Sequence, residues 1–338
     1  MKRTIFILLG LLTAVCGFSQ TGLQPAAIIN LIRTEAITVN ELRSMVQQYE
    51  QAQGRALTQS ERLQVLEAMI GEKLILQAAE RDRVVATVNE VNSQLRASLA
   101  EQIGRQPTNE EYESVLRENN IDLEQARQQL TIQNYILNKK GAMINNPNLT
   151  PTEAEIATYY NLNRSEFIRQ ETIRVSRILV PYGFDAAART RARTLVDSLY
   201  REINNDPAKF DEVAARGNES LGYIGGDSGY LPRSAEGLQS VGQQFMDIAF
   251  NLRQGQVSQV IEGLDGFQII KVTENYSFAV LQLSDVIYPG QRATVRDYIQ
   301  QGLLYRKQQE AFILARQELI NEERGRAQVQ VLENNIRW

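Results

Sequence analysis

The sequence predicts an α+β chain: a run of amphipathic helices, then a segment of short strands and helices, then a long helix like the first ones and a final strand. Three observations predict it. Between about residues 38 and 165, Thr-x-x-Glu capping boxes recur and apolar residues fall at helical spacing. At Thr172 the pattern changes to short β-branched runs punctuated by Gly and Pro. Near Ala293 a long helical pattern returns and runs into a strand-like Ala327–Leu332. The 338 residues are about twice the usual length of one domain, which agrees with two.

Ala26 to Ile37 reads as a strand, with Ile28, Ile29, Leu31 and Ile32 as its apolar run. Capping boxes follow at Thr38…Glu41, Thr58…Glu61, Thr108…Glu111 and Thr150…Glu153, the last with Pro151 at the first helical position. Asp122 with Gln125 marks a fifth helix start. Leu63, Leu66, Ile70 and Leu74 form one stripe, widened by Met69 and Ile75; Leu123, Leu130, Tyr135 and Leu137 form a less regular one. No fixed-period repeat stands out.

A strand is predicted from Ile173 to Val180, stopped by Pro181, then a helix from Ala186 to Ile203 with Ala192, Leu195, Val196 and Leu199 on one face. Pro207 and Phe210 open a short helix. Gly225-Gly226-Asp227-Ser228-Gly229 reads as a tight turn. A helix over Ser240–Leu252 leads through Gly255 to strands Val257–Glu262 and Phe267–Thr273, joined by Leu264-Asp265-Gly266. Phe278 to Tyr288 is strand-like, and the last helix spans about Ala293–Glu322. The charged stretch Asn321–Arg326 reads as its solvated end.

Composition narrows the chemistry. There is no histidine, and Cys16 is the sole cysteine, so Ser-His-Asp and Cys-His catalysis and a His- or Cys-ligated zinc site are excluded. Acid–base work would fall to Asp, Glu, Lys or Tyr. A net charge of −4 gives no basic face for a nucleic acid. The glycine cluster lacks the strand-before, helix-after setting and the Lys of a phosphate loop. No Asp-x-Asp-x-Asp-Gly run marks a calcium loop, and no metal or cofactor is expected. The apolar helix faces read as ordinary core, with an open groove for unfolded chains as the functional alternative.

At the N-terminus, Lys2 and Arg3 precede an apolar run from Ile5 to Val15, too short to span a bilayer but of signal-peptide length. Cleavage after Ser19, with Gly17 at the −3 position, fits the small-residue rule. The alternatives are a buried N-terminal helix and lipidation at Cys16, the latter the one route to a membrane tether, since no later stretch reaches spanning length.

The middle segment resembles a parvulin-type peptidyl-prolyl isomerase domain. The resemblance is carried, in order, by Val175–Val180, Asp206–Ala214, Gly225–Gly229, Phe245–Leu252, Gly255–Ser258 and Gly266–Val272. The flanks resemble exported folding factors of the SurA and PrsA type. Beyond the signal peptide at 1–19, this implies an N-terminal helical chaperone domain at 20–167, completed by a C-terminal helix and strand in the segment 278–338 that returns to it, and an inserted parvulin-like domain at 168–277, small, with a mainly antiparallel sheet and covering helices. The family's two histidines fall at Arg177 and Gln268, and the Cys or Asp that faces them falls at Ser220. Phe245 keeps the family's pocket phenylalanine, Val241 stands where it has methionine, and Leu179 and Leu231 keep apolar groups nearby.

The resemblance therefore implies an exported, ATP-independent chaperone for unfolded or proline-containing polypeptides, among them envelope precursors, held in a helical cradle and by the parvulin-like module. Weak or absent isomerase activity is expected. The alternatives are an active isomerase that tolerates Arg177, Ser220 and Gln268, and a structural envelope protein with one fixed partner.

Overall fold

The computed structural model describes residues 24–204 and 206–338. The expected signal peptide and Cys16 lie outside the described residues. In chain order the elements begin with β1 (Pro25–Asn30), β2 (Thr34–Thr38), α1 (Val39–Gln53), α2 (Gln59–Arg81), α3 (Val88–Ile103), α4 (Asn109–Glu118) and α5 (Leu123–Ile144). Then come α6 (Glu153–Leu162), β3 (Ile168–Arg169), β4 (Thr172–Pro181), α7 (Ala186–Ile203), α8 (Pro207–Arg216), β5 (Ile224–Pro232), α9 (Ala235–Val241) and α10 (Gln243–Asn251). The chain closes with β6 (Ile261–Glu262), β7 (Gly266–Tyr276), β8 (Ala279–Val280), α11 (Val295–Arg326) and β9 (Gln328–Val331). Two compact units result, one of residues 1–150 with 305–338 and one of 151–304. The sequence reading divides the chain after 167 and 277 instead. None of the described helices is long and apolar enough to cross a membrane.

In the first unit a three-stranded antiparallel sheet, ordered β2-β1-β9, packs its apolar face against α1 and α2. The expected single strand Ala26–Ile37 is a hairpin. Its turn at residues 31–33 offers three successive backbone N–H groups, and the buried Gln77 side chain accepts from all three through Oε1. Backbone N–H groups outside the strand ladder need such a partner, which apolar patterning does not reveal.

The capping boxes at Thr38, Thr58 and Thr108 form as expected, and Asp122 caps α5. The fourth does not. A 3-10 turn over Pro147–Leu149 ends on Thr150, so the working box is Thr152 with Glu155, and Pro151 precedes the cap. A further box, Thr87 with Glu90, starts α3.

The first four helices also contain a repeat that spacing by apolar residues hides. Thr38-Val39-Asn40-Glu41 and Thr87-Val88-Asn89-Glu90 open α1 and α3 in the same way. Gly54-Arg55 and Gly104-Arg105 end them, each Gly in the left-handed region. Arg55 then bonds the carbonyl of Ala56 and both carboxylate oxygens of Glu61, and Arg105 does the same with Gln106 and Glu111. The repeat lies in the caps and turns, because the two hairpins bury different amounts: α2 is buried along its length, α4 only at Tyr112.

At the C-terminus, Asn321–Arg326 is not simply solvated. Glu323 is 1 % exposed and accepts from Arg81 at 2.8 and 3.1 Å and from Arg326 at 2.6 Å, which ties α11 to α2. The Tyr135 hydroxyl joins this cluster by donating to Asp82 at 2.8 Å. Leu130 and Tyr135 are buried as expected, whereas Leu137 is exposed.

The second unit is built on a four-stranded antiparallel sheet, ordered β5-β4-β7-β6. The helices α7 and α8 cover one face through Ala192, Val196, Leu199 and Phe210, and α10 covers the other through Phe245, Met246 and Ala249. The glycine cluster Gly225–Gly229 is strand, not turn. It lies within β5, and the register shift between Arg174 and Ser176 absorbs the extra residue as a bulge. Gly225 is needed because a Cβ there would stand 2.3 Å from the Ala214 carbonyl, so α8 crosses directly on the backbone.

The expected helix Ser240–Leu252 breaks at Gly242, whose φ of +84° no helix accommodates. The strand expected over Val257–Glu262 is reduced to β6 and an isolated bridge at Val257. Of the strand-like Phe278–Tyr288 only β8 forms, paired with β3; Leu281 and Ile287 serve instead in an apolar cluster with Ile156, Tyr160, Phe167 and Val295.

Candidate functional site

Side chains alternate along a strand, so the register fixes which residues share a face. Ile178, Val180, Phe267 and Ile269 point toward α7 and α8. Ile173, Val175, Ile270 and Val272 point to the other face, toward α10. Arg177 pairs with Ile270 and Gln268 with Leu179, which places Arg177, Leu179 and Gln268 on that second face. The strands give two rows there: Gly226, Arg177 and Ile270, then Ile224, Leu179, Gln268 and Ile261. Arg177 and Gln268 are thus diagonal neighbours on adjacent strands.

What joins them is Asp265, in the turn between β6 and β7. Its Oδ1 accepts from Gln268 Nε2 at 2.7 Å and its Oδ2 from Arg177 Nη1 at 3.2 Å. The turn is closed by the Gly263 N–H donating to the Gly266 carbonyl at 2.9 Å, and Tyr182 Oη donates to the Gly263 carbonyl at 2.7 Å. Gly263 lies so close to the Gln268 amide that a Cβ would stand 2.1 Å from Nε2. Gln268 is 2 % exposed, and its Oε1 is buried with no hydrogen-bond partner. Flipping that amide would set an oxygen against the Asp265 carboxylate, so the orientation is fixed by charge.

Ser220 does not join the pair. It sits in a 3-10 turn over Glu219–Leu221, exposed, and its hydroxyl donates to the Asn218 side chain that caps the same turn. Leu231, Val241 and Phe245 do come together in one apolar cluster, but Phe245 is 3 % and Leu231 9 % exposed, so their surfaces are spent on one another. Leu179 is buried too, yet packs on Gly266 rather than in that cluster. Leu264, next to Asp265 and largely exposed, lies against Gly242 between α9 and α10.

On the opposite side of β4, Arg174 bonds Asp227 at 2.6 Å and Glu274 at 2.9 Å. The Glu274 carboxylate also accepts from Tyr230 and Tyr276, and its bond pushes the Tyr276 phenol up to about 12.

Chemically, the Arg177–Asp265–Gln268 group contains a permanent cation, a carboxylate with both oxygens engaged and a neutral amide. It offers donors and one unused acceptor but no imidazole. Sequence reasoning missed Asp265 by reading Leu264-Asp265-Gly266 as a turn and nothing more. The available signal was an acidic turn residue three positions from Gln268.

Two family models match the chain: the SurA-like N-terminal domain over residues 2–139 and the PPIC-type PPIase domain over residues 160–276. Among curated relatives, the foldase protein PrsA of Clostridium botulinum is 26 % identical over 266 residues, spanning 77 % of this chain and 71 % of the relative. The chaperone SurA of Chromohalobacter salexigens is 26 % identical over 290 residues, spanning 81 % and 63 %. Of solved structures, one of two related SurA-like chaperones of Campylobacter jejuni aligns over 91 % of this chain and 98 % of its own, at 14 % identity and a TM-score of 0.34. Likeness at that level leaves the assignment to the sequence matches, which cover both flank and insert. The chain is SurA/PrsA-like over both stretches, with a SurA-like N-terminal domain followed by a PPIC-type PPIase domain.

Proposed function

We propose that the protein is an exported, ATP-independent chaperone that binds unfolded envelope or secreted precursors, and that its parvulin-like module binds polypeptide with little or no isomerase activity. The N-terminal charge–apolar–small order supports export, with cleavage after Ser19 as the primary reading and a lipid on Cys16 as the alternative. In an organism with an outer membrane this places it in the periplasm, assisting outer-membrane biogenesis.

The observation that carries the reading is that Asp265 locks Arg177 and Gln268, the two residues that the resemblance sets at the family's histidine positions. Rotation about an X-Pro bond meets a barrier of about 18–20 kcal/mol and takes tens to hundreds of seconds uncatalysed. An isomerase lowers that barrier by favouring the twisted amide over both planar forms, which needs a seated proline ring and a polar network that follows the rotation. Here the ring seat is packed shut around Phe245, and the polar network is tied to its own turn.

The test uses one preparation and two readouts. It should suppress aggregation of a chemically unfolded client at stoichiometric ratio, with suppression intact in Phe245→Ala. In a proline-limited refolding assay the slow phase should keep its uncatalysed rate. Acceleration comparable to that of a histidine-containing parvulin, lost in Arg177→Ala or Gln268→Ala, would establish the enzyme instead.

A further inference from the structure

We propose that Arg177 anchors a carboxylate carried by the bound polypeptide, so that the parvulin-like module selects segments bearing an acidic group. The inference rests on the reading that the parvulin-like module binds polypeptide, and it names the chemistry that the module prefers.

The guanidinium is under-used. Arg177 bonds Asp265 through one nitrogen at 3.2 Å, and its side chain is 31 % exposed. A guanidinium has five N–H donors and pairs with two carboxylates where geometry permits. This molecule does so elsewhere: Arg174 holds Asp227 and Glu274, and Arg81 holds Asp82 and Glu323. Arg177 has the first carboxylate and lacks the second.

Space for it exists beside β5. The residue paired with Arg177 on that strand is Gly226, which has no side chain and where a Cβ would meet nothing within 4 Å. β5 is also the edge strand of the sheet. Asp265 would not have to leave, because Gln268 Nε2 holds its other oxygen at 2.7 Å while the guanidinium is shared. Arginine, unlike the histidine that the family places there, keeps its charge at every physiological pH. The residue at that position thus supplies an anion site.

The test is fluorescence anisotropy with the full-length protein and three labelled hexapeptides, Ala-Ala-X-Pro-Phe-Ala. One has X as Glu with blocked ends, the second has Gln with blocked ends, and the third has Gln with a free C-terminal carboxylate. The Glu peptide should bind about three- to fivefold tighter than its Gln counterpart, the scale of a partly exposed ion pair. The preference should vanish in Arg177→Gln, persist in part in Arg177→Lys, and collapse in about 1 M salt. Preference for the third peptide instead would assign the anchored group as a chain terminus. Equal binding of all three overturns the carboxylate site and leaves the chaperone reading standing. If no peptide binds, both fall together.

Discussion

Asp265→Ala removes a carboxylate that holds two neighbours at once, and the two bonds differ in worth. The side chain of Asp265 is 49 % exposed, so its ion pair with Arg177 contributes at most ~1 kcal/mol. Its bond to Gln268 is buried at the other end. Gln268 is 2 % exposed and already has an unpartnered Oε1, so losing Asp265 leaves a whole amide unsatisfied. A buried orphan donor costs about 1–3 kcal/mol, which gives a net loss near ~2 kcal/mol. That is about a 30-fold rise in the local opening constant. Native-state hydrogen exchange on the Phe267–Val272 amides of β7, in the full-length protein, reads it directly. Gln268→Leu removes donor and acceptor together and should be close to neutral, and the double variant Asp265→Ala/Gln268→Leu should recover most of the loss. Unchanged exchange in Asp265→Ala, or Gln268→Leu proving as damaging as Asp265→Ala, would refute the reasoning.

Glu323→Gln breaks a carboxylate that is 1 % exposed and faces two arginines that reach solvent, and should cost about 1.5–3 kcal/mol in urea unfolding of the first unit; a loss under ~1 kcal/mol would mean that the clasp is idle. Thr87→Ala and Thr152→Ala should each cost ~1 kcal/mol by thermal melting while Thr150→Ala costs little, the reverse order restoring the expected cap at Thr150. Hydrogen bonds from Arg81, then Lys139, hold the Asp82 carboxyl well below the usual carboxylate range. A depressed folded value gives stability that is present above the unfolded value of about 3.9 and is lost as pH falls toward the folded one. The wild type should therefore lose more melting temperature between about pH 5 and pH 2.5 than Asp82→Asn, and equal losses would exclude Asp82 as the source.

Much of the fold was legible because it rests on local chemistry. Ala186–Ile203 and Pro207 announce α7 and α8 through their periodicity and through proline at a helix start, and β4 ends at Pro181 as read. The failures share a cause: a tertiary partner overrides a local signal. Gly225–Gly229 has turn composition, but α8 needs a bare backbone to cross, so the glycines serve as strand. Ala26–Ile37 looks continuous because the residue that turns it, Gln77, lies more than forty positions away. Asn321–Arg326 reads as solvated until Arg81 is placed against Glu323.

The site divides in the same way. The family's order of motifs singles out Arg177 and Gln268, and the sheet register makes them diagonal neighbours. Asp265 was not found, because its role depends on the β6–β7 turn folding back over Gln268, which no spacing rule encodes. Ser220 was placed by counting along a loop, and loop geometry is set by the Asn218 cap rather than by the count.

The central claim separates binding from isomerisation, and two-dimensional exchange NMR on the blocked Ala-Ala-Glu-Pro-Phe-Ala peptide measures both in one tube. With stoichiometric protein, its resonances should shift or broaden while cis and trans signals remain unconnected by exchange cross-peaks at mixing times of about one second, as expected for an uncatalysed prolyl bond. Cross-peaks between the cis and trans signals, absent without the protein, would contradict the account.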